Sequence, residues 1–382
     1  MVQGRDKVTE IWYNTRVTKM KILVYLEKAP VRGGIEVFAE RHVAQLRAEG
    51  HEVDIVASQF PRLRQGFGGQ AIPHSSSFDE IIVHKCTDVA TLDMFPPEKT
   101  VFYVHDHEPI CPRGYAYTPL KRNCTRAGGV WPCILCAPAC RNWKAALGRV
   151  FSQKRRIAAM AKFKKIVVIS EFMKSRLVVN GIDAAKIEVR PPKIDVGGGG
   201  LIETALPAGA SAIDLLYVGQ LIRGKGVHLL LEAMAKMKSP RTLDIVGTGN
   251  MEGELKAIAS RLGLGERVRF NGFQPDSLAW MRRAACVVVP SFWQEPYGLV
   301  AAEAVALGRP VVAFAIGGLP EAWHGKATLV PQGDVMALAK ALDLNFGNSS
   351  EACSTSEHVD SGASSLSEPS SSSTPSGKEA SR

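Results

Sequence analysis

The stretch DLLYVGQLIRGKGVHLLLEAMAKM, residues 214–237, changes its hydrophobic pattern halfway along. It opens with an apolar run, continues through a glycine-containing loop, and then carries apolar residues at helical spacing. The pattern predicts a buried strand, a short loop and a helix.

The same unit recurs in both directions along the chain. KILVYL (21–26) leads through VRGGIE to the helical pattern VFAERHVAQLRAEG, and EVDIVAS follows as a strand. Further strands are predicted in RTLDIVGTGN, RVRFNGF and ACVVVPSF. Successive units of this kind predict an α/β fold of two Rossmann-like, doubly wound domains, with loops at the carboxyl ends of the strands facing an interdomain cleft.

The length and composition of the chain support two domains, and its Gly-rich and Ser-rich stretches suggest the domain boundaries. The chain has 382 residues and is 46% hydrophobic, enough for two packed cores. We predict a division into an N-terminal extension (1–19), a first domain (20–192) with a Cys-rich insert (111–140), a Gly-rich linker (193–212), a second domain (213–345) and a disordered Ser-rich tail (346–382). Residues 62–79 are predicted to form a loop.

Charge and hydropathy limit the classes of binding partner and the cellular location that we expect. The formal net charge of +10 favours anionic partners such as nucleotides, phospholipid surfaces or nucleic acid. No apolar run reaches the length of a membrane span, and the N-terminus lacks the apolar segment of a secretory signal. We therefore expect a cytoplasmic protein.

Two glutamates stand out in SFWQEPYGLVAAEAVALG, residues 291–308. Glu295 precedes a proline and is expected in an extended loop, whereas Glu303 falls in a predicted helix. The amides of Gly298 and Leu299 begin that helix and can meet a phosphate. In chain order, these groups fit the three parts of a nucleotide sugar: the first carboxylate fits the sugar, the amides fit the diphosphate, and the second carboxylate fits the ribose. The alternative is that Glu303 caps the helix and Glu295 is solvated.

This stretch resembles the signature of retaining glycosyltransferases of family 4 (glycosyl transferases group 1), which have the GT-B fold. YVGQLIRGKG, IVGTGN, NGF and GGLPE follow in the family's order, and the resemblance extends from about Lys21 to Leu342. It implies that Glu303 binds the nucleotide ribose and Glu295 the donor sugar hydroxyls. It also implies that glycine loops contact the donor, through Gly33 and Gly34 in the first domain and Gly247 and Gly249 in the second.

The resemblance extends to cationic and histidine residues. Family members clamp the donor diphosphate with an Arg and a Lys; here Gln220 stands at the Arg position, Lys225 is retained, and Arg223 can supply a guanidinium. A His at the end of a first-domain strand lies near the donor sugar in the family, and His105 in TVFYVHDHEPICPRG matches it better than His107. The catalytic candidates are therefore His105 and Glu295, with His105 positioning the sugar and the transition state.

A cysteine cluster interrupts the first domain. It comprises Cys111, Cys124, Cys133, Cys136 and Cys140. The Cys-x-x-Cys spacing fits a structural zinc or iron–sulfur site, but no second such pair completes the pattern. The alternative is a set of reduced structural thiols, since a reducing cytoplasm disfavours disulfides.

The segment 141–165 is strongly basic. It carries nine Lys or Arg and no acidic residue, with apolar residues at roughly helical spacing. Such a segment fits a helix on an anionic membrane surface, or a core-packed helix with a solvated basic face. Nucleic acid is not expected to bind, because no recognised binding module accompanies the charge.

These observations predict a retaining glycosyltransferase. It would move a sugar from a UDP- or GDP-linked donor to an acceptor hydroxyl, in bacterial surface polysaccharide or glycolipid synthesis, with no cofactor required for transfer. A non-catalytic relative is the alternative, because a Ser-rich tail stands where family members have closing helices, so that the second domain looks truncated. A nicotinamide-dependent oxidoreductase is disfavoured, since VRGGIE lacks the Gly-x-Gly-x-x-Gly spacing.

Overall fold

The computed structural model describes residues 18–27, 34–58, 75–118, 122–136, 138, 143–196, 213–323 and 325–347. Gly33, Cys140, nearly all of the N-terminal extension, most of the predicted loop at 62–79, most of the linker and nearly all of the Ser-rich tail lie outside these residues.

The first domain is built on a six-stranded parallel sheet in the order β2-β1-β3-β4-β5-β6. Its strands are Lys21–Glu27 (β1), Glu52–Ser58 (β2), Glu80–Lys85 (β3), Thr100–Val104 (β4), Lys165–Val168 (β5) and Ile187–Val189 (β6). Its helices are Gly34–Ala48 (α1), Val89–Leu92 (α2), Val130–Ile134 (α3), Trp143–Ala161 (α4) and Glu171–Val179 (α5).

The second domain has its own six-stranded parallel sheet, in the order β12-β11-β10-β7-β8-β9. Its strands are Ile213–Val218 (β7), Leu243–Val246 (β8), Val268–Phe270 (β9), Ala284–Val289 (β10), Val311–Phe314 (β11) and Thr328–Val330 (β12). Its helices are Val227–Met234 (α6), Glu252–Arg261 (α7), Ser277–Arg283 (α8), Leu299–Ala306 (α9) and Val335–Gly347 (α10).

The apolar runs form the central strands because helices cover both faces of each sheet. In β1 the five residues 22–26 are all buried, and β4 is buried throughout. This arrangement confirms the predicted α/β fold of two doubly wound domains.

Strand order locates the ligand crevice of each sheet. In such sheets ligands bind beyond the carboxyl ends of the strands, where the order reverses. The reversal falls between β1 and β3 in the first domain and between β7 and β10 in the second. The loops that follow β7 and β10 are therefore the first place to look for a site.

Most of the basic segment forms helix α4, whose apolar residues differ in exposure. Val150 and Met160 of α4 are buried, as expected for a core-packed helix, and so is Phe163 just beyond its end. Trp143 and Phe151 are instead 48% and 59% exposed. Among the described helices, none has both the length and the apolar character needed to cross a bilayer.

Candidate active site at the cleft between the two domains

The carboxylate of Glu295 lies at the reversal point of the second sheet. Strand β10 ends at Val289, and the loop that follows places Glu295 so that only 6% of the residue is exposed. One carboxylate oxygen, Oε1, accepts hydrogen bonds from Lys225 Nζ at 2.6 Å, Ser291 Oγ at 2.6 Å and Trp293 Nε1 at 3.0 Å. Glu295 is thus buried and paired, not solvated.

The pKa of Glu295 reflects these partners. Burial by itself raises the pKa of this carboxyl, but the charge of Lys225 and the hydrogen bonds from Lys225, Ser291 and Trp293 bring it below its ordinary value. Glu295 is therefore ionised at neutral pH, with Lys225 as its counter-ion.

The loop after β7 delivers Lys225. Residues Arg223–Lys225 form a single 3-10 turn, and Gly226 follows with φ at 71°. A Cβ at Gly226 would overlap the carbonyl oxygen of Pro290. The glycine therefore lets the loops after β7 and β10 pack backbone against backbone.

The other loop residues of the second domain that were predicted to contact the donor have neighbours outside the Lys225–Glu295 pair. Arg223 is half exposed, and its Nη1 lies 3.4 Å from Glu254 Oε1. Gly247 and Gly249 lie on the loop after β8, where a Cβ on either residue would overlap the backbone of the β7 loop. Both glycines thus have a packing reason to be there.

Two helix N-termini meet across the cleft. Gly298, with φ at 104°, precedes α9, and Leu299 is the first residue of that helix. Gly34 begins α1, and a Cβ built on it would lie 3.6 Å from Leu299 Cδ1. The positive ends of both helices therefore point into the same region, which favours an anion there.

Glu303 lies on the next turns of α9, as predicted. A cation of the other domain lies beside it, with Arg41 Nη1 3.9 Å from Glu303 Oε1. Burial raises the pKa of Glu303, and the charge of Arg41 offsets part of that effect. The side chain is 16% exposed, so one face of it reaches the cleft.

Polar contacts join the two domains around the loop that follows β10. His107 Nε2 donates to the carbonyl of Gln294 at 2.9 Å, and Ser170 Oγ donates to the carbonyl of Pro296 at 2.5 Å. Because a carbonyl only accepts, the proton of His107 is on Nε2.

Glu321, in the GGLPE motif, caps a helix of the other domain. Its carboxylate accepts from the amides of Glu171 at 2.6 Å and Phe172 at 2.7 Å. These amides begin α5 and have no partner within that helix, so the acid satisfies them across the interface.

The Cys-rich insert also reaches this loop. Tyr115 packs on Trp293 with ring centroids 5.4 Å apart, and Tyr117 meets Phe292 at 5.8 Å. Gln294 Nε2 donates to the carbonyl of Cys124 at 3.3 Å. The insert therefore shapes one wall of the cleft beside Glu295.

The metal site raised from the sequence stays a prediction, because Cys140, one of its five cysteines, lies outside the described residues. Cys111, Cys124, Cys133 and Cys136 line one cavity of about 30 Å³. Within the part of the chain that the structure describes, however, no group of three Cys, His, Asp or Glu side chains is arranged to hold a metal ion. Burial raises the pKa values of Cys133 and Cys136, which disfavours the thiolates that bind metals.

His105 is held in a chain of three histidines. Its Nε2 lies 3.0 Å from His84 Nδ1, and His84 Nε2 lies 3.1 Å from His42 Nδ1. Burial lowers the pKa of His105 to about 3 and that of His42 to about 4, and it brings the pKa of His84 well below its ordinary range. All three rings are therefore neutral at neutral pH.

Sequence reasoning missed His42, His84, Ser170 and the capping role of Glu321. The available signals were weak. His84 is the fifth residue of the apolar EIIVHK strand, and Glu321 lies in a motif that was recognised without a role being given to its acid. Their partners lie on other elements of the fold, so the local sequence does not reveal them.

Comparison with known proteins first defines the class. Residues 212–344 match the family model for glycosyl transferases group 1. The whole fold is that of GT-B glycosyltransferases. HepE of Anabaena, solved with UDP and glucose, has a TM-score of 0.59 at 19% identity, over 87% of this chain and 91% of HepE. WaaG, a glycosyltransferase involved in lipopolysaccharide biosynthesis, has a TM-score of 0.59 at 16% identity, over 86% of this chain and 91% of WaaG.

Individual curated relatives match over shorter stretches. A D-inositol 3-phosphate glycosyltransferase of Mycobacterium sp. (strain KMS) is 34% identical over 194 residues, which is 47% of this chain and 44% of that protein. Glycogen synthase of Mycobacterium tuberculosis is 36% identical over 174 residues, 44% of this chain and 38% of that enzyme. The chain thus spans less than half the length of these relatives.

The buried ion pair predicts an asymmetric response to substitution. Lys225→Met should lower the free energy of unfolding by about 3 kcal/mol or more, because it leaves the carboxylate of Glu295 buried without a counter-ion. Lys256→Met is the matched control. It removes an exposed pair of nearly equal length, 2.7 Å against 2.6 Å, and should cost less than about 1 kcal/mol. Urea denaturation measures both. Adding Glu295→Gln to Lys225→Met should recover part of the loss, and equal costs in the two single variants would contradict the analysis.

The buried histidines predict a loss of stability in acid. The folded pKa values of His105 (about 3), His42 (about 4) and His107 (about 4) all lie below the ordinary 6.5, mainly through burial. Their contribution to stability is complete above pH 6.5 and is lost as the pH falls toward 4, at up to about 1.4 kcal/mol per pH unit for each ring that stays neutral. Asp106 acts in the opposite direction, because burial raises its pKa to about 6. Urea denaturation at several pH values between 7 and 5 should show the loss, and His107→Gln should make the slope shallower. A flat profile would contradict this account.

Proposed function

We propose that this protein is a retaining glycosyltransferase that moves a sugar from a nucleotide-diphosphate donor to an acceptor hydroxyl. The observation that carries the proposal is the buried Lys225–Glu295 pair at the reversal point of a sheet, beside the N-terminus of α9. The match of residues 212–344 to glycosyl transferases group 1 supports it.

The donor is proposed to lie across the two helix N-termini. Its diphosphate would face the amides at Gly298 and Leu299 and at Gly34, since unpaired N–H groups and helix dipoles favour anions. Glu303, near one edge of this region, would accept the ribose hydroxyls. HepE was solved with UDP and with UDP-glucose, which favours a UDP-linked donor over a GDP-linked one.

The chemistry proposed for these groups is electrostatic. Departure of the nucleotide diphosphate leaves negative charge on phosphate and positive charge on the sugar. Lys225, with Arg223 and the helix amides, would stabilise the phosphate charge, so that no metal cofactor is proposed for transfer. Three hydrogen bonds to Oε1 fix the carboxylate of Glu295 beside Lys225, and we assign this residue to orienting Lys225 and the sugar hydroxyls.

The acceptor is proposed to be a lipid-linked or growing surface glycan, with the protein on the inner face of the cell membrane. Helix α4 supplies a basic surface, and Trp143 and Phe151 on it are exposed. Trp131 on the neighbouring α3 is 85% exposed, and Leu135, which follows the last residue of α3, is 83% exposed. Cationic side chains beside exposed aromatic residues fit the interface of an anionic bilayer.

Donor turnover tests the first part of the proposal. Purified protein should slowly release one free nucleotide from a panel of UDP- and GDP-linked sugars. Glu303→Ala should weaken donor binding at least about tenfold, because a charged hydrogen-bond acceptor is lost, and Glu295→Ala should abolish release. Glu252→Ala, an exposed acid of the same domain, is the control and should leave both unchanged.

Binding without turnover, even with lipid acceptors present, would favour a non-catalytic sugar-nucleotide-binding relative. Absence of binding to every donor would overturn the site assignment. NMR of the product's anomeric proton with a competent acceptor would show whether configuration is retained, and inversion would refute the retaining mechanism.

Membrane contact is tested separately. The protein should float with vesicles containing anionic phosphatidylglycerol and not with neutral phosphatidylcholine vesicles. The double variant Trp143→Ser with Phe151→Ser should reduce flotation at least about fivefold, because apolar contact at the bilayer interface is lost. Phe273→Ser is the matched control, since Phe273 is 73% exposed but belongs to the second domain. Equal flotation of wild type and double variant would reject α4 as the contact.

A further inference from the structure

We propose that His42, His84 and His105 form a tautomer-coupled chain, in which His84 and His42 act as positioning residues that decide which ring nitrogen of His105 carries the proton. The three histidines come from three different elements. His42 lies on α1, His84 on β3, and His105 directly after β4.

The geometry makes the chain continuous. His42 Nδ1 lies 3.1 Å from His84 Nε2, and His84 Nδ1 lies 3.0 Å from His105 Nε2. His84 is 1% exposed and engages a neighbour with each ring nitrogen. Phe38 and Tyr103 pack around the three rings, with the Phe38 centroid 4.8 Å from that of His105.

A neutral imidazole has one N–H and one acceptor nitrogen. Since His84 contacts a histidine at both nitrogens, it donates at one contact and accepts at the other. Only two arrangements satisfy both contacts. Either all three rings carry the proton on Nδ1, or all three carry it on Nε2. Any mixed arrangement sets two lone pairs or two N–H groups against each other.

Burial keeps the three histidine rings neutral. It is the main cause of the low pKa values of His42, His84 and His105. Nearby cations act in the same direction, namely Arg190 and Lys193 near His42 and Lys85 near His105. Glu49 near His42 opposes them.

The consequence falls on Nδ1 of His105, the nitrogen that His84 does not contact. When all three rings carry the proton on Nδ1, His105 offers a donor there. In the other arrangement it offers a lone pair. A substrate group that needs a donor at His105 Nδ1 therefore favours one arrangement of all three rings, and a group that needs a lone pair there favours the other. In both cases the tautomers of His42 and His84, which the substrate does not touch, change together with that of His105. The effect on catalysis rests on the proposed glycosyltransferase function, whereas the coupling itself does not.

The coupling is tested by ¹⁵N NMR of the full-length protein labelled at histidine. Two other histidines serve as internal references for protonation at Nε2. Met20 N donates to His51 Nδ1, and His107 Nε2 donates to the carbonyl of Gln294. We expect His42, His84 and His105 to share one protonated nitrogen, whichever it is. Different protonated nitrogens on His42 and His105 would overturn the proposal.

Substitution of His84 separates coupling from packing. His84→Phe keeps an aromatic ring beside Phe38 and Tyr103 but removes both nitrogens, so His105 should change to a mixture of tautomers. His84→Gln restores one donor and one acceptor and should return His105 toward a single tautomer. If His84→Phe does not fold, His84→Leu takes its place, because it also removes both nitrogens and should likewise change the tautomer of His105. An unchanged His105 tautomer in the folded variant overturns the proposal.

Steady-state kinetics adds a second readout where turnover is detected. His84→Phe should lower kcat about three- to tenfold, the worth of one oriented hydrogen bond, with a smaller change in donor KM. His84→Gln should recover most of that loss, and His51→Gln should have no effect on kcat. A protein without turnover would refute the proposed function and still leave the NMR result to decide the coupling.

Discussion

The candidate site depends on keeping one carboxylate, Glu295, out of water. A buried charge is tolerated only with a counter-ion and hydrogen bonds, and Lys225, Ser291 and Trp293 supply them. The loops after β7 and β10 must therefore stay together, and Gly226 permits this because any side chain would overlap Pro290. Lys225 is thereby held at the reversal point between β7 and β10, where sheets of this kind bind ligands.

The same loop is held from the first domain. His107, Ser170 and the carbonyl of Cys124 all contact the segment from Gln294 to Pro296. The position of the Glu295 carboxylate is thus coupled to the closure of the cleft and to the Cys-rich insert, which packs Tyr115 on Trp293. The insert consequently lies next to the polar centre of the site.

Local patterns predicted the parts of this arrangement that depend on local sequence. The strand β10, the loop position of Glu295 and the helical position of Glu303 follow from apolar runs, Pro296 and an alanine-rich segment. The Lys225–Glu295 pair joins residues 70 positions apart, and Glu321 caps a helix 150 positions away. Such partners follow from the order of strands in the sheets and from the meeting of the domains, which no local pattern contains.

The contacts within a domain and those between domains differ in strength. The bonds from His107 and Ser170 to backbone carbonyls, and from the α5 amides to Glu321, join groups that water can satisfy when the cleft opens. Each such bond contributes about 0.5 to 1.5 kcal/mol net, or about 1.5 to 3 when a charged group takes part. Separating Lys225 from a Glu295 that stays buried costs about 3 to 5 kcal/mol. Opening of the cleft would break several of these bonds together and would also separate apolar side chains of the two domains that belong to one core cluster. It would leave the Lys225–Glu295 pair intact, because both residues belong to the second domain.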